Sequence, residues 1–253
     1  RLDSAERAQV MSRLALADSI GGLEGSGLVF EAIGERLEAT QRLLQQLEQF
    51  LPADAVLATS SAVLPVSALA SGLARPQRLV GLHFPYPASR VRIVEVVAGV
   101  ASDLALVQAL HRLLRAWGKT PVDAPNLPGY IVHRVTRPLH AEALRLAAER
   151  GASMAAIDRL MHAAGGFAMG PFELMDAVGI DHDLAITEAI FTATQYDTRY
   201  APQWAQQELV RAGWTGCRSG RGFYDYAGDA LRPLVPALAP TALVPMLRTA
   251  SDA

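Results

Sequence analysis

The sequence predicts an α/β domain built on a mostly parallel sheet, followed by an all-helical C-terminal domain. Three observations predict it. Short β-type runs alternate with helical patterns from residue 27 to about 124, the β-type runs stop from Pro128 onward, and Gly and Pro then punctuate a series of helical segments. The corresponding division is a sheet domain over 1–125, a helical domain over 126–226 and a tail or linker over 227–253, where the chain turns Ala-, Leu- and Pro-rich without an amphipathic pattern.

The opening stretch RLDSAERAQVMSRL has helical spacing and lacks the charged-then-apolar layout of a signal peptide. It starts at Arg1, from which we expect a fragment of a longer chain. The glycine-rich GGLEGSG (21–27) reads as a connection into the first strand. Strands are expected at 27–33, 55–59, 78–84, 91–97 and 119–124, each a short β-type run. Between the first two, a helix from about Glu35 sets Leu43, Leu44, Leu47, Phe50 and Leu51 on one face and stops at Pro52. Val66, Leu69, Ala70 and Leu73 mark a shorter helix, and Leu104, Val107, Leu110, Leu114 and Trp117 mark one that ends at Gly118. No helix separates 78–84 from 91–97, only PYPASR, so these two strands are either an antiparallel pair or an edge element.

In the second domain, helices are expected at about 129–149, 153–163, 171–178, 182–195 and 202–212. Ser153 and Asp181 stand at N-cap positions, Pro171 at a first helical position, and Gly151, Gly179 and Gly213 at helix ends. Phe223, Tyr224 and Tyr226 in GRGFYDY pin the end of this domain, and Met154, Met161, Met169 and Met175 read as core filling.

With 253 residues and 51% hydrophobic content, the chain can bury one or two ordinary cores. Its 23 Lys+Arg and 25 Asp+Glu nearly balance and no basic run tracks a phosphate backbone, which argues against a nucleic-acid partner. A lone Cys217 makes no internal disulfide, and no apolar run approaches the ~20 residues of a membrane-spanning helix. The expectation is a soluble cytoplasmic protein with no membrane partner.

The candidate chemistry is His83 and Glu95. Glu95 sits inside the apolar strand RIVEVV, where a charge is costly without a partner. His83 stands twelve positions earlier, and the turn-forming PYPAS folds the second strand back toward it. A carboxylate that fixes the imidazole tautomer leaves the other nitrogen to move a substrate proton. A structural histidine capped by an edge carboxylate is the other reading of the same spacing. His111, His140, His162 and His182 lack mutual metal-ligand spacing and read as surface or cap residues, and no metal site is expected. Arg134 and Arg137 either meet a CoA phosphate or are solvated.

The run LVGLHF-PYP-(x)-RIVEVVAG, then GKTPV, PGYIVHR, GGFAMGPFELMDAVG and GRGFYDY, resembles the 3-hydroxyacyl-CoA dehydrogenase family in order and separation, over about residues 27–226. The resemblance implies a partial Rossmann-type NAD-binding domain, then a helical domain used for homodimerisation, with an acyl-CoA substrate between the two. It maps the family's dyad onto His83 and Glu95: His83 would take the proton of the 3-hydroxyl as hydride leaves C3 for the nicotinamide, and Glu95 would orient and stabilise the imidazolium. Ala32, Glu35 and Ser60 match cofactor-lining positions. LLRAWGKTPV and GGFAMGPFELMD are similar to the branch acting on short 3-hydroxyacyl-CoA esters, including 3-hydroxyadipyl-CoA in aromatic-acid degradation.

The chain departs from the family pattern at several places. The family's opening strand, GxGxxG turn and helix, where glycines let the backbone approach the pyrophosphate, are absent, and GGLEGSG has the wrong spacing. The family's Asn-Thr-Ser-Ser reads Ser60-Ser61-Ala62-Val63, so its substrate serine is Ala62. Its substrate-side asparagines become Tyr86 and His133, and a cofactor-side lysine becomes Thr40. Ser61 or His133 is expected to supply the lost hydrogen bonds. Two functions follow: an active dehydrogenase with shifted preference, or a catalytically degenerate acyl-CoA-binding or assembly module. The first is favoured because a buried Glu95 without a proton-transfer role would only cost stability.

Overall fold

A computed structural model describes residues 3–227 and the backbone of 232–233. The chain packs as two compact units, Arg1–Ile131 and Val132–Ala253.

The first unit opens with α1 (Ser4–Met11), capped by a reciprocal pair in which Asp3 accepts from the Glu6 N–H and Glu6 accepts from the Asp3 N–H. Then follow β1 (Leu28–Glu31), α2 (Leu37–Phe50), β2 (Val56–Thr59), α3 (Val66–Ala70), β3 (Leu79–His83), β4 (Ile93–Ala98), α4 (Leu104–Ala116) and β5 (Thr120–Ala124). The five strands lie in the order β1-β2-β3-β4-β5, with only the β3–β4 pair antiparallel. The helixless PYPASR link therefore makes an antiparallel pair inside the sheet, since six residues suffice for a turn but not for a parallel crossover. Neighbouring strand residues point to opposite faces: Leu57, Leu79 and Val97 pack with α2 and α3, while Ala58, Val80 and Val96 pack with α4.

Phe50 departs from the expected inward face and is half exposed. It lies about 90° around the helix from the middle of the Leu44, Leu47 and Leu51 stripe, on the flank rather than the seam.

The second unit holds α5 (Val132–Ala148), α6 (Met154–Ala163), α7 (Pro171–Val178), α8 (Ile180–Ala193) and α9 (Trp204–Arg211), followed by β6 (Tyr224–Asp225) paired antiparallel with β7 (Arg232–Pro233). Its core joins Leu144, Ile157, Phe172, Met175, Ile180 and Phe223. Asp181 does not cap α8, which already starts at Ile180; Gly179, at φ 107°, closes α7 and opens α8 in one step. Asp181 instead pairs with Arg218 at 2.7 Å. Apart from Ala227 and the strand at 232–233, the expected tail lies outside the described residues. No helix among the described residues is long and apolar enough to cross a membrane.

Candidate active site

Because β1, β2 and β3 run parallel, the residues that follow their last positions emerge at one edge of the sheet, the carboxyl edge where open α/β sheets bind ligands. β1 ends at Glu31, β2 at Thr59 and β3 at His83. Six of the sequence-predicted residues, Ala32, Glu35, Ser60, Ser61, Ala62 and His83, thereby come to that edge, and Glu95 reaches it on the returning β4.

His83 and Glu95 are register partners across β3 and β4. Their side chains point to the same face, and His83 Nδ1 lies 2.6 Å from Glu95 Oε2 with both residues buried. The other carboxylate oxygen, Oε1, accepts the Ile131 N–H at 2.8 Å. That N–H is delivered by Tyr130, whose φ of 44° turns the backbone left-handed. The Tyr130 ring stands 6.0 Å from the His83 ring, and its hydroxyl donates to the Leu64 carbonyl at 3.3 Å. Burial, reinforced by the charges of Glu35, Glu95 and Glu31, pushes the Tyr130 phenol well above the usual range, so it stays a neutral donor. With the carboxylate engaged at Nδ1, proton exchange with a substrate falls to Nε2.

A second polar cluster lies at the ends of β1 and β2. Buried Glu31 accepts the Thr59 hydroxyl at 2.6 Å and the Ile33 N–H at 2.7 Å. Half-buried Glu35 accepts the Ser61 hydroxyl and, at 2.7 Å, the Ala62 N–H. Ser61 therefore does not stand as the expected substrate donor, because its one proton is given to Glu35 and its oxygen accepts the Val63 and Leu64 N–H groups. Ala62 contributes its backbone alone. Tyr86, in the β3–β4 turn, is exposed. Thr40, where the family places a lysine, is fully buried on α2.

His133 belongs to the second unit, in the first turn of α5, where its Nδ1 lies 3.5 Å from Arg137 Nη2. Arg137 is neither solvated nor at hand for a phosphate: it is buried against Asp183, which also accepts from Gln206 at 2.8 Å. His140, expected at the surface, is buried in the same cluster with Nδ1 3.3 Å from Asp183. Burial by itself would raise the Asp183 carboxyl, but His140 and the Arg137 charge hold it well below the usual carboxylate range. Arg134 stacks on the Tyr200 ring, 5.3 Å from its centre.

Sequence reasoning missed Glu31, Thr59, Tyr130 and Asp183. Tyr130 alone carried a signal, as part of the PGYIVHR string.

Residues 1–127 match the NAD-binding domain of 3-hydroxyacyl-CoA dehydrogenase and residues 129–226 match its C-terminal domain. The chain is 38% identical over 221 residues to the 3-hydroxyadipyl-CoA dehydrogenase of Escherichia coli, covering 87% of this chain and 46% of that protein. It is 34% identical over 221 residues to a probable 3-hydroxybutyryl-CoA dehydrogenase of Bacillus subtilis, covering 87% of this chain and 77% of that one. The crystal structure of (S)-3-hydroxybutyryl-CoA dehydrogenase from Ralstonia eutropha superposes with a TM-score of 0.80 at 29% identity, over 90% of this chain and 80% of that one. The chain thus spans about half the length of one curated relative and three quarters of another. With both domains matched in order and a buried histidine–glutamate pair at the carboxyl edge of the sheet, the chain belongs to the 3-hydroxyacyl-CoA dehydrogenase family.

Proposed function

We propose that the protein interconverts a short 3-hydroxyacyl-CoA and its 3-oxoacyl-CoA with NAD, His83 acting as acid and base and Glu95 orienting it. The observation that carries this reading is the 2.6 Å contact between His83 Nδ1 and a Glu95 carboxylate whose second oxygen is fixed by the Ile131 N–H. In the oxidative direction Nε2 takes the 3-hydroxyl proton as hydride departs C3, and in reverse it returns that proton to the oxygen. Glu95 keeps the ring in one tautomer and compensates its charge while the proton is held.

The carboxyl edge fits a ribose of NAD, whose nicotinamide accepts the hydride when the cofactor is bound. Glu35 presents a carboxylate with acceptor capacity beyond its two protein donors, and a ribose offers hydroxyl donors. Ala32 and Ser60 stand on the two strand-end loops, and the family resemblance assigns Ala62, Tyr86 and His133 to substrate binding. A cytoplasmic homodimer joined through the helical unit belongs to the same proposal, supported by the exposed apolar side chains Val135, Leu160 and Trp204.

A second reading, acyl-CoA binding without turnover, is favoured by one observation: Ala62 has no hydroxyl and that of Ser61 is committed to Glu35. Steady-state assays of the intact protein with acetoacetyl-CoA or 3-oxoadipyl-CoA and NADH separate the two. We expect turnover, and a loss on the order of 10²-fold or more in kcat for His83→Asn, whose amide can still donate to Glu95 and keep the carboxylate partnered. Turnover that survives the substitution would sink the role of His83, and acyl-CoA binding with no turnover in the wild type would establish the second reading.

A further inference from the structure

We propose that Ser61 is a positioning residue for Glu35, the last link of a relay that begins at buried Glu31 and Thr59, and that through Glu35 it sets the affinity for NAD(H). The inference rests on the functional reading above and assigns Ser61 to the cofactor carboxylate rather than to the substrate.

The relay follows from proton counting. Glu31 is 3% exposed at the end of β1, a place where a carboxylate is costly unless both oxygens are satisfied. They are, by the Thr59 hydroxyl and the Ile33 N–H. A hydroxyl has one proton, so Thr59, having given its proton to Glu31, can meet the Ser61 N–H only as acceptor, as the 3.2 Å contact shows. Ser61 repeats the arrangement one step on. Its proton goes to Glu35 Oε2, while its oxygen accepts the N–H groups of Val63 at 3.2 Å and Leu64 at 2.8 Å. No member can reverse its hydrogen bond without stranding another.

The consequence falls on Glu35. Its second oxygen accepts the Ala62 N–H, so this one side chain ties the loop after β1 to the turn after β2, and both lie on the edge assigned to the cofactor. A long, half-exposed glutamate would otherwise range over many rotamers. Held from two sides, it meets a ribose hydroxyl already oriented, with less freedom left to lose on binding. A relay serving only the fold would have no need to end on a half-exposed carboxylate.

The test measures NADH binding by fluorescence titration, together with kcat and KM, on the intact wild type, Ser61→Ala, Glu35→Ala and the double variant. Ser61→Ala is expected to raise the Kd and KM for NADH about tenfold, as for loss of one hydrogen bond to a charged group, with a far smaller change in kcat. Ser61→Thr keeps the hydroxyl and is expected to restore binding. In the Glu35→Ala background the Ser61 substitution is expected to add less than about twofold, because its effect runs through Glu35. An undiminished loss in both backgrounds overturns the proposal, as does an unchanged Kd in Ser61→Ala. Should Ser61→Ala fail to fold, Thr59→Val tests the preceding link, where raised Kd supports the relay and unchanged Kd overturns it. A wild type that turns over substrate while Ser61→Ala binds NADH normally defeats this inference alone. A wild type that neither binds NADH nor turns over defeats the functional reading with it.

Discussion

Glu95 is held by its strand at the backbone, by His83 Nδ1 at Oε2 and by the Ile131 N–H at Oε1. Glu95→Gln separates geometry from charge. The glutamine oxygen can still accept from Nδ1, but its NH2 then faces the Ile131 N–H, donor against donor, and the charge beside the ring is gone. We expect kcat to fall on the order of 10²-fold, with KM for the acyl-CoA changed by less than about threefold. Steady-state kinetics check this, and a change confined to KM would assign Glu95 to binding instead. The dyad was legible in the sequence because a charge inside an apolar strand is a local anomaly. Glu31 was not, although it too lies inside an expected strand, because the Thr59 that meets it across the parallel pair stands 28 positions away in the sequence. Arg137 and His140 were misread for a similar reason, as the Asp183 that buries them lies 46 positions beyond Arg137.

At the scale of elements, alternation and run length located the five strands and the helices because burial in a layered sheet is periodic along the chain. What periodicity could not supply was the reason for the GPFELMD and GRGFYDY strings. Asp158, on α6, accepts the Phe172 and Glu173 N–H groups at the start of α7 and the Tyr224 hydroxyl at 2.6 Å. Asp176, on α7, accepts the Phe223 and Tyr224 N–H groups and the Tyr226 hydroxyl, each at 2.9 Å. Two buried carboxylates therefore fasten the GRGFYDY segment to the helices. The glycines leave room for them: a Cβ on Gly222 would stand 2.1 Å from Asp176 Oδ1, and one on Gly216, at φ 100°, would meet the Asp176 backbone. Gly222→Ala is accordingly expected to destabilise by about 1–3 kcal/mol in urea unfolding, by overpacking around an ion that cannot retreat. An unchanged midpoint would mean that the segment shifts freely and that Asp176 does not hold it.

At the scale of the molecule, the buried acids of the helical unit pull its pH dependence in opposite directions. Asp183, lowered by His140 and Arg137 against the effect of burial, contributes stability that is present above the ordinary carboxylate pKa of about 4 and is lost as pH falls toward its depressed folded value. Asp158 and Asp176 are raised by burial, so their contribution is full below that ordinary pKa and is lost as pH rises through their folded values. Replacing Asp183 by Asn strands the buried Arg137 charge, which at pH 7 is expected to cost about 3–5 kcal/mol. Below about pH 4 the wild type gives up the same advantage by protonation, so the gap between wild type and Asp183→Asn narrows as acid is added. For Asp176→Asn the trend reverses: the wild type's advantage is largest in acid and shrinks toward neutral pH, because ionising a desolvated carboxylate is a cost the variant never meets. Urea melts of the three proteins from pH 3 to 8 read both slopes, and parallel curves for Asp183→Asn and Asp176→Asn would show that neither group titrates with folding.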